Sequence, residues 1–207
     1  MSHVSSRRRL VLVAAAAIGA LAATAGPAMA GDRAACPTAA LSNPFAPWGD
    51  VADYQLAPGG DVEGDTTDWS LSGGATAVEG NETFMVSSAT DHMSMRLPSS
   101  SSAMTARMCI GAEHPSFRFF AKRSAGAPSS RLLVEVVFDD ANGRTRSLPV
   151  GLISGSGAWA PSPPLPTLLS LLSGAQDSTI DASFRFKPQN NSTWSVDDVY
   201  VDPRRIG

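Results

Sequence analysis

Trp194-Ser195-Val196-Asp197-Asp198-Val199-Tyr200-Val201-Asp202 is the stretch on which the fold turns. Trp194 and Val196 share one parity, whereas Val199 and Val201 share the other. Successive side chains of a strand point to opposite faces, so an unbroken strand cannot keep all four on one side. One extra residue restores the phase. The sequence therefore predicts a strand with a β-bulge at Asp197-Asp198, ended by Pro203.

The same period of two recurs upstream. In Ser116 to Arg123, Phe117, Phe119 and Ala121 face one side and Arg118, Phe120 and Lys122 the other. In Arg131 to Phe138, Leu132, Val134, Val136 and Phe138 make an apolar face opposite Leu133, Glu135 and Val137. Asp139-Asp140-Ala141-Asn142-Gly143 then signals a hairpin into a strand over Thr145 to Ile153, because Asn-Gly favours positive φ. Thr179 to Lys187 places Ile180, Ala182, Phe184 and Phe186 on one side. Ser-Phe-Arg-Phe stands at both 116–119 and 183–186, which predicts two strands in equivalent environments, each arginine facing away from its phenylalanines. Shorter alternations occur at Asp68 to Ser72 and Met93 to Leu97. Met104, Ala106, Met108 and Ile110 read as one face, with Cys109 opposite. Leu165 to Ser173 fits a single apolar helical turn or a buried strand. About ten short strands without crossover helices indicate an all-β fold, a two-sheet antiparallel sandwich.

The 207 residues carry a formal charge of −3, with 43% hydrophobic and 17% charged side chains. That balance excludes a disordered chain, a coiled coil and the basic face of a nucleic-acid binder. Arg7-Arg8-Arg9, the apolar run Leu10 to Ala25 and Ala28-Met29-Ala30 form a signal peptide over 1–30, cut before Gly31. The expected product is secreted, with no membrane span after cleavage. Residues 31–60, rich in Pro and Gly, read as an irregular N-terminal arm held by Phe45, Trp48 and Tyr54, and 61–207 as the sandwich domain. In an exported chain, Cys36 and Cys109 are expected to form a disulfide that straps this arm across the outside. No C-x-x-C motif is present and no histidine stands at ligand spacing from either cysteine, which argues against zinc.

Gly60-Asp61-Val62-Glu63-Gly64, Asp68-Trp69 and Gly73-Gly74-Ala75, followed far downstream by the Trp194–Asp202 strand, resemble the opening and closing segments of galactose-binding-like jelly rolls and carbohydrate-binding modules. The likeness spans roughly residues 60–203. It implies a jelly-roll sandwich and a structural Ca²⁺ held by Glu63 and by Asp197 or Asp198, with backbone carbonyls and water. Ca²⁺ takes about six to eight oxygens in loose geometry, which a bulge can supply. The competing reading is that these acids are solvated turn residues.

The favoured function is non-catalytic binding of a glycan or cell-surface ligand. Sugar C–H faces stack on exposed aromatic rings while hydroxyls need fixed polar partners. Trp159 is the candidate platform, with Arg118, Arg185, Glu135 and Lys122 lining one sheet face. Against this, Trp159 also fits a core anchor, and Arg118 with Glu135 fits a cross-strand ion pair. A structural or protein-interaction sandwich is the first alternative, and a polysaccharide-active hydrolase the second. No catalytic set is legible: G-x-S-x-G and H-E-x-x-H are absent, and past residue 30 the histidines are His92 and His114. Met85, Met93, Met95, Met104 and Met108 near His92 suit core packing better than a soft-metal site.

Overall fold

The computed structural model describes residues 36–37, 39–64, 66–167 and 179–203, all within one compact unit, Arg33–Gly207. The leader over 1–30, its cleavage site and the leucines from Leu168 onward lie outside the described residues.

Two antiparallel sheets face each other. The eight-stranded sheet is built on β14 (Thr193–Asp202), whose one edge pairs along its length with β8 (Ser116–Ala125). Its other edge is shared by β5 (Met93–Leu97), which continues to β4 (Thr76–Glu79), and by β2 (Tyr54–Leu56), which continues to β1 (Leu41–Ser42). The short strands β11 (Ala160–Pro161) and β12 (Leu165–Pro166) border β8. The six-stranded sheet runs β10 (Thr145–Ile153), β9 (Leu132–Asp139), β13 (Ile180–Pro188), β6 (Ser102–Met104), β3 (Ser70–Ser72), with β7 (Met108–Ile110) also on β13. Among the described residues no helix is long and apolar enough to cross a membrane.

The two Ser-Phe-Arg-Phe segments lie on β8 and β13, one in each sheet. Their phenylalanines meet across the sandwich, Phe117 stacking on Phe184 at 3.9 Å and Phe119 meeting Phe186 edge-on at 4.9 Å. Trp69 stacks on Phe186 at 6.5 Å, and Trp194 is fully buried. Burial of these rings is the main driving force for closing the two layers.

The bulge on β14 is present. Asp197 opposes Phe120 and Tyr200 opposes Arg118, so three steps on β14 match two on β8. Asp198 takes up the slack at φ 50°, in the left-handed region. Trp194, Val196, Val199 and Val201 are consequently all buried in the core. The β9–β10 hairpin also forms, with Gly143 at φ 71° and Asp140 Oδ1 accepting the Asn142 and Arg144 N–H groups at 2.9 and 3.0 Å.

The run from Met104 to Ile110 is not one face. It divides into β6 and β7, and Ala103 rather than Met104 enters the core. Thr105 makes the break: its Oγ1 accepts the Phe184 N–H at 3.0 Å while its own N–H donates to Phe184 O at 3.0 Å. A side chain thus replaces one rung of the backbone ladder, and the phase is lost there. The arm also departs from expectation, because it contributes strands. β5 covers β14 only from Trp194 to Val196, so Tyr54–Leu56 pairs the edge that remains, at Tyr200 and Val201. Cys36 bonds Cys109 on β7, with their Cα atoms 5.4 Å apart.

Candidate functional site

Facing phenylalanines force the neighbouring arginines apart. Arg118 emerges on the outer side of the eight-stranded sheet and Arg185 on the outer side of the six-stranded one. Arg118, Arg185 and Glu135 therefore do not line one sheet face. Arg118 is only 8% exposed; Nη1 donates to Asp50 Oδ2 at 2.6 Å, Nε donates to Ser162 O at 2.9 Å, and the guanidinium lies 4.2 Å from the Phe45 ring centroid. Burial would raise the Asp50 carboxyl, but hydrogen bonds from Tyr54 and Arg118 outweigh it and hold the group below its usual pKa. Glu135 pairs with Arg185 at 2.8 Å, not with Arg118, and Arg185 Nη2 also donates to Ser147 Oγ at 2.8 Å. Glu135 too is held low, the Arg185 bond outweighing the opposing effect of burial.

Trp159 is not an exposed platform. Ala160 pairs with Ala121 on β8 and draws its loop onto the sheet, leaving Trp159 7% exposed with Lys122 Nζ 4.7 Å from its ring. The ring belongs to a second, smaller core with Phe45, Tyr54, Phe120 and Tyr200, on the outer side of the eight-stranded sheet.

The exposed aromatic rings lie at the edge of that small core. Trp48 is 37% exposed and Phe84 45%; they meet edge-to-face at 4.7 Å, and both contact Phe120, at 5.4 and 5.7 Å. Trp48 ends a one-turn 3₁₀ helix, Ala46–Trp48, which Gly49 stops at φ 81°. Asp50 follows in the same turn, with its side chain 24% exposed. The sequence gives little warning of Phe84, because Asn81 to Val86 shows neither helical nor strand periodicity.

Beside Phe120 on the same outer face lies Asp197, and over both runs the segment 80–92. Asp197 Oδ2 accepts the Glu82 N–H at 2.8 Å and its Oδ1 accepts the Asp198 N–H at 3.0 Å. Glu82, fully buried, turns its carboxylate back onto the Phe84 and Val86 N–H groups, the latter at 2.8 Å. Glu63 secures the far end of the segment: Oε1 accepts the His92 and Met93 N–H groups, both at 2.5 Å, and Oε2 lies 2.8 Å from His92 Nδ1. Asp198 is 1% exposed, and neither carboxylate oxygen has a hydrogen-bond partner among the described residues. Burial, reinforced by Asp197, Glu82, Asp91 and Asp61, pushes the Asp198 carboxyl up to about 9. Burial likewise pushes Asp197 up to about 8, against the two backbone N–H bonds it accepts.

Two buried carboxylate oxygens without donors, surrounded by acids, are a costly arrangement unless a positive charge or protons compensate. All the side-chain donors are hard oxygens, which fits Ca²⁺ and does not fit a soft metal. Glu82 was not among the residues singled out from sequence, although it is the acid that ties Asp197 to the overlying segment. Elsewhere, folding brings His114 close to Cys36: donor atoms of Cys36, Glu113 and His114 all lie within 4.8 Å of one another. Cys36 is committed to the disulfide and offers no thiolate.

The architecture has solved counterparts. The family 22 carbohydrate-binding module and family 10 catalytic module of the Clostridium thermocellum endo-1,4-β-D-xylanase 10B, solved with xylohexaose, align with a TM-score of 0.52 at 13% identity. The chain has the jelly-roll fold of a carbohydrate-binding module. That alignment covers 73% of this chain and spans 28% of the xylanase chain. The xylan-binding family 22 module of Paenibacillus barcinonensis Xyn10C aligns at TM-score 0.49 and 14% identity, covering 75% of this chain and 97% of that one. The family 11 module of Clostridium thermocellum, solved with a mixed-linked tetrasaccharide, aligns at 0.41 and 16%, covering 72% and 95%. No protein-family model and no curated protein matches the sequence. At these identities the likeness is one of fold, and function has to be argued from the site.

Proposed function

We propose that the chain is an exported, non-catalytic glycan-binding module whose stacking surface is Trp48 with Phe84. One observation carries the reading: two aromatic rings in mutual contact stay substantially exposed on a rigid sandwich, while every other tryptophan is buried. Pyranose C–H faces stack on such rings, and the partly exposed Asp50 beside Trp48 supplies an acceptor for a sugar hydroxyl. The xylanase counterpart solved with xylohexaose makes xylan the first ligand to try. Export is supported by the leader motif and by the formed disulfide, a bond that persists in oxidising compartments. Structural Ca²⁺ is part of the same proposal, with Asp198 and Asp197 as the ligands and Glu82 beside them, whereas Glu63 is engaged with His92 and Met93.

Affinity electrophoresis against soluble xylan tests the reading. Retardation is expected for the wild type and for Arg185→Ala. Trp48→Ala should weaken binding about tenfold or more, the loss of roughly 1.4 kcal/mol of stacking. Retardation unchanged in Trp48→Ala would remove the platform. If no polysaccharide is retained at all, the exposed Trp48, Phe84 and Met85 point instead to a protein partner.

A further inference from the structure

We infer that the outer face of the eight-stranded sheet carries a second binding site, a cross-strand row of two cations and neighbouring hydroxyls that takes the carboxylates of a uronate-bearing polysaccharide. The inference rests on the proposed function only for the ligand being a polysaccharide. The row includes neither Trp48 nor Phe84 and is tested separately from them.

Strand register builds the row. Residues paired directly across antiparallel strands point to the same face. Thr76 on β4 pairs with Arg96 on β5, Arg96 pairs with Ser195 on β14, and Ser195 pairs with Lys122 on β8. Their chain neighbours Met95, Leu97, Trp194, Val196 and Ala121 are buried in the core, so the row points outward. Ala160 pairs with Ala121, which brings Trp159 beside Lys122, and the Lys122 ammonium lies 4.7 Å from the Trp159 ring centroid. That cation–π contact restricts where the ammonium can go. Arg96 and Lys122 flank Ser195 on either side, so their Cα atoms are two strand spacings apart, about 10 Å.

The two charges are uncompensated. Arg118, Arg146 and Arg185 each meet a carboxylate at 2.6 to 2.8 Å, while among the described residues Arg96 and Lys122 meet none. Asp197, the next outward residue of β14 towards the bulge, is 1% exposed and accepts the Glu82 N–H under the 80–92 segment. Ser94, the next outward residue of β5, donates to Gly80 O at 2.7 Å, which brings that segment down one step short of the row. Arg96 and Thr76 are exposed and Lys122 is half-buried. In a chain of net charge −3, an open pair of positioned cations is a local reversal of sign that attracts anions.

Hydroxyls accompany the cations. Ser195 Oγ lies 3.2 Å from Ser124 Oγ, and Thr76 stands at the end of the row beside Arg96. Guanidinium and ammonium groups bind carboxylates through charge-assisted hydrogen bonds, the guanidinium bidentately. Serine and threonine hydroxyls both donate and accept, as sugar hydroxyls require. A polyuronate presents carboxylates and hydroxyls side by side along one extended chain. Two cations neutralise too few phosphates to hold a nucleic acid.

The test titrates the full chain with polygalacturonate oligomers. Binding is followed by calorimetry and by tryptophan emission, with Trp159→Phe identifying the Trp159 component. Wild type should bind, with a shift in Trp159 emission as the carboxylate draws on the ammonium over the ring, and affinity should fall as salt is raised. Arg96→Gln and Lys122→Gln should each weaken binding about tenfold or more. Arg144→Gln, in the β9–β10 turn, should bind like wild type. The inference is overturned if wild type binds no oligouronate, if the Arg96→Gln/Lys122→Gln variant binds as wild type does, or if poly-L-glutamate of equal length binds as tightly and moves Trp159 equally. Oligouronate binding that survives Trp48→Ala and is lost in Arg96→Gln upholds the row whatever becomes of the aromatic surface. Xylan binding that needs Trp48, with no oligouronate bound, upholds the proposed function and removes the row.

Discussion

His114 shows how much one buried residue can carry. It is 3% exposed, its Nδ1 accepts the Gly111 N–H at 3.0 Å, and its Nε2 lies 3.3 Å from Gln55 Nε2. Burial holds its pKa below the ordinary 6.5, with the charges of Glu113 and Asp202 pulling weakly the other way. The unfolded chain therefore takes the proton first as pH falls. The stabilisation is complete above 6.5 and is lost as pH drops below that value through the folded pKa. Urea midpoints should fall across that acid window, and His114→Gln should flatten this part of the profile. An unchanged slope in the variant would show that other groups set it. None of this was legible in sequence, because the burial comes from partners far along the chain, such as Thr167, whose Oγ1 donates to His114 O at 2.6 Å. The arginines teach the same lesson. Alternation correctly turns Arg118 away from Phe117 and Phe119, but its carboxylate partner, Asp50, lies 68 residues away and belongs to the arm.

At the scale of elements, β14 is where sequence and structure meet most closely. A phase break needs an extra residue, and Asp198 is that residue. Deleting Asp198 should turn Val199 and Val201 outward and drive Tyr200 and Asp202 into the core. Loss of a cooperative thermal transition is expected for the deletion. Asp198→Gly keeps the residue count and suits the positive φ, so it should retain the fold. A deletion variant that melts like wild type would show that β14 re-registers freely. The long strands were readable because each shows several alternations. β1, β11 and β12, of two residues each, are too short to show any period and exist only because a neighbouring edge needs a partner. The acids followed the same division. Asp197 and Asp198 stood out because they sit at the phase break. Glu82 did not, since its role arises from a contact 115 residues away.

Across the whole molecule, the arm joins the two layers. Its strands β1 and β2 extend the eight-stranded sheet, while Cys36 fastens it to β7 of the six-stranded sheet. Phe45 and Tyr54 from the arm complete the small core over Phe120, and Trp48 hangs from the same segment. The disulfide closes a 73-residue separation, so in the chain-entropy model it limits the unfolded ensemble by about 4 kcal/mol. The Cys36→Ser/Cys109→Ser variant should therefore unfold in urea with stability lowered by about that amount. The main core should persist, because Phe117 packs directly on Phe184 and Phe119 on Phe186 across the two sheets. Trp48 should be affected first: its emission should move to longer wavelength at urea concentrations where the strand signal in circular dichroism is still intact. Two separated transitions would show that the crosslink binds the arm to the sandwich as one cooperative unit. A single transition with unchanged midpoint would mean instead that Phe45 and Tyr54 alone hold the arm, and that the surface carrying Trp48 needs no covalent support.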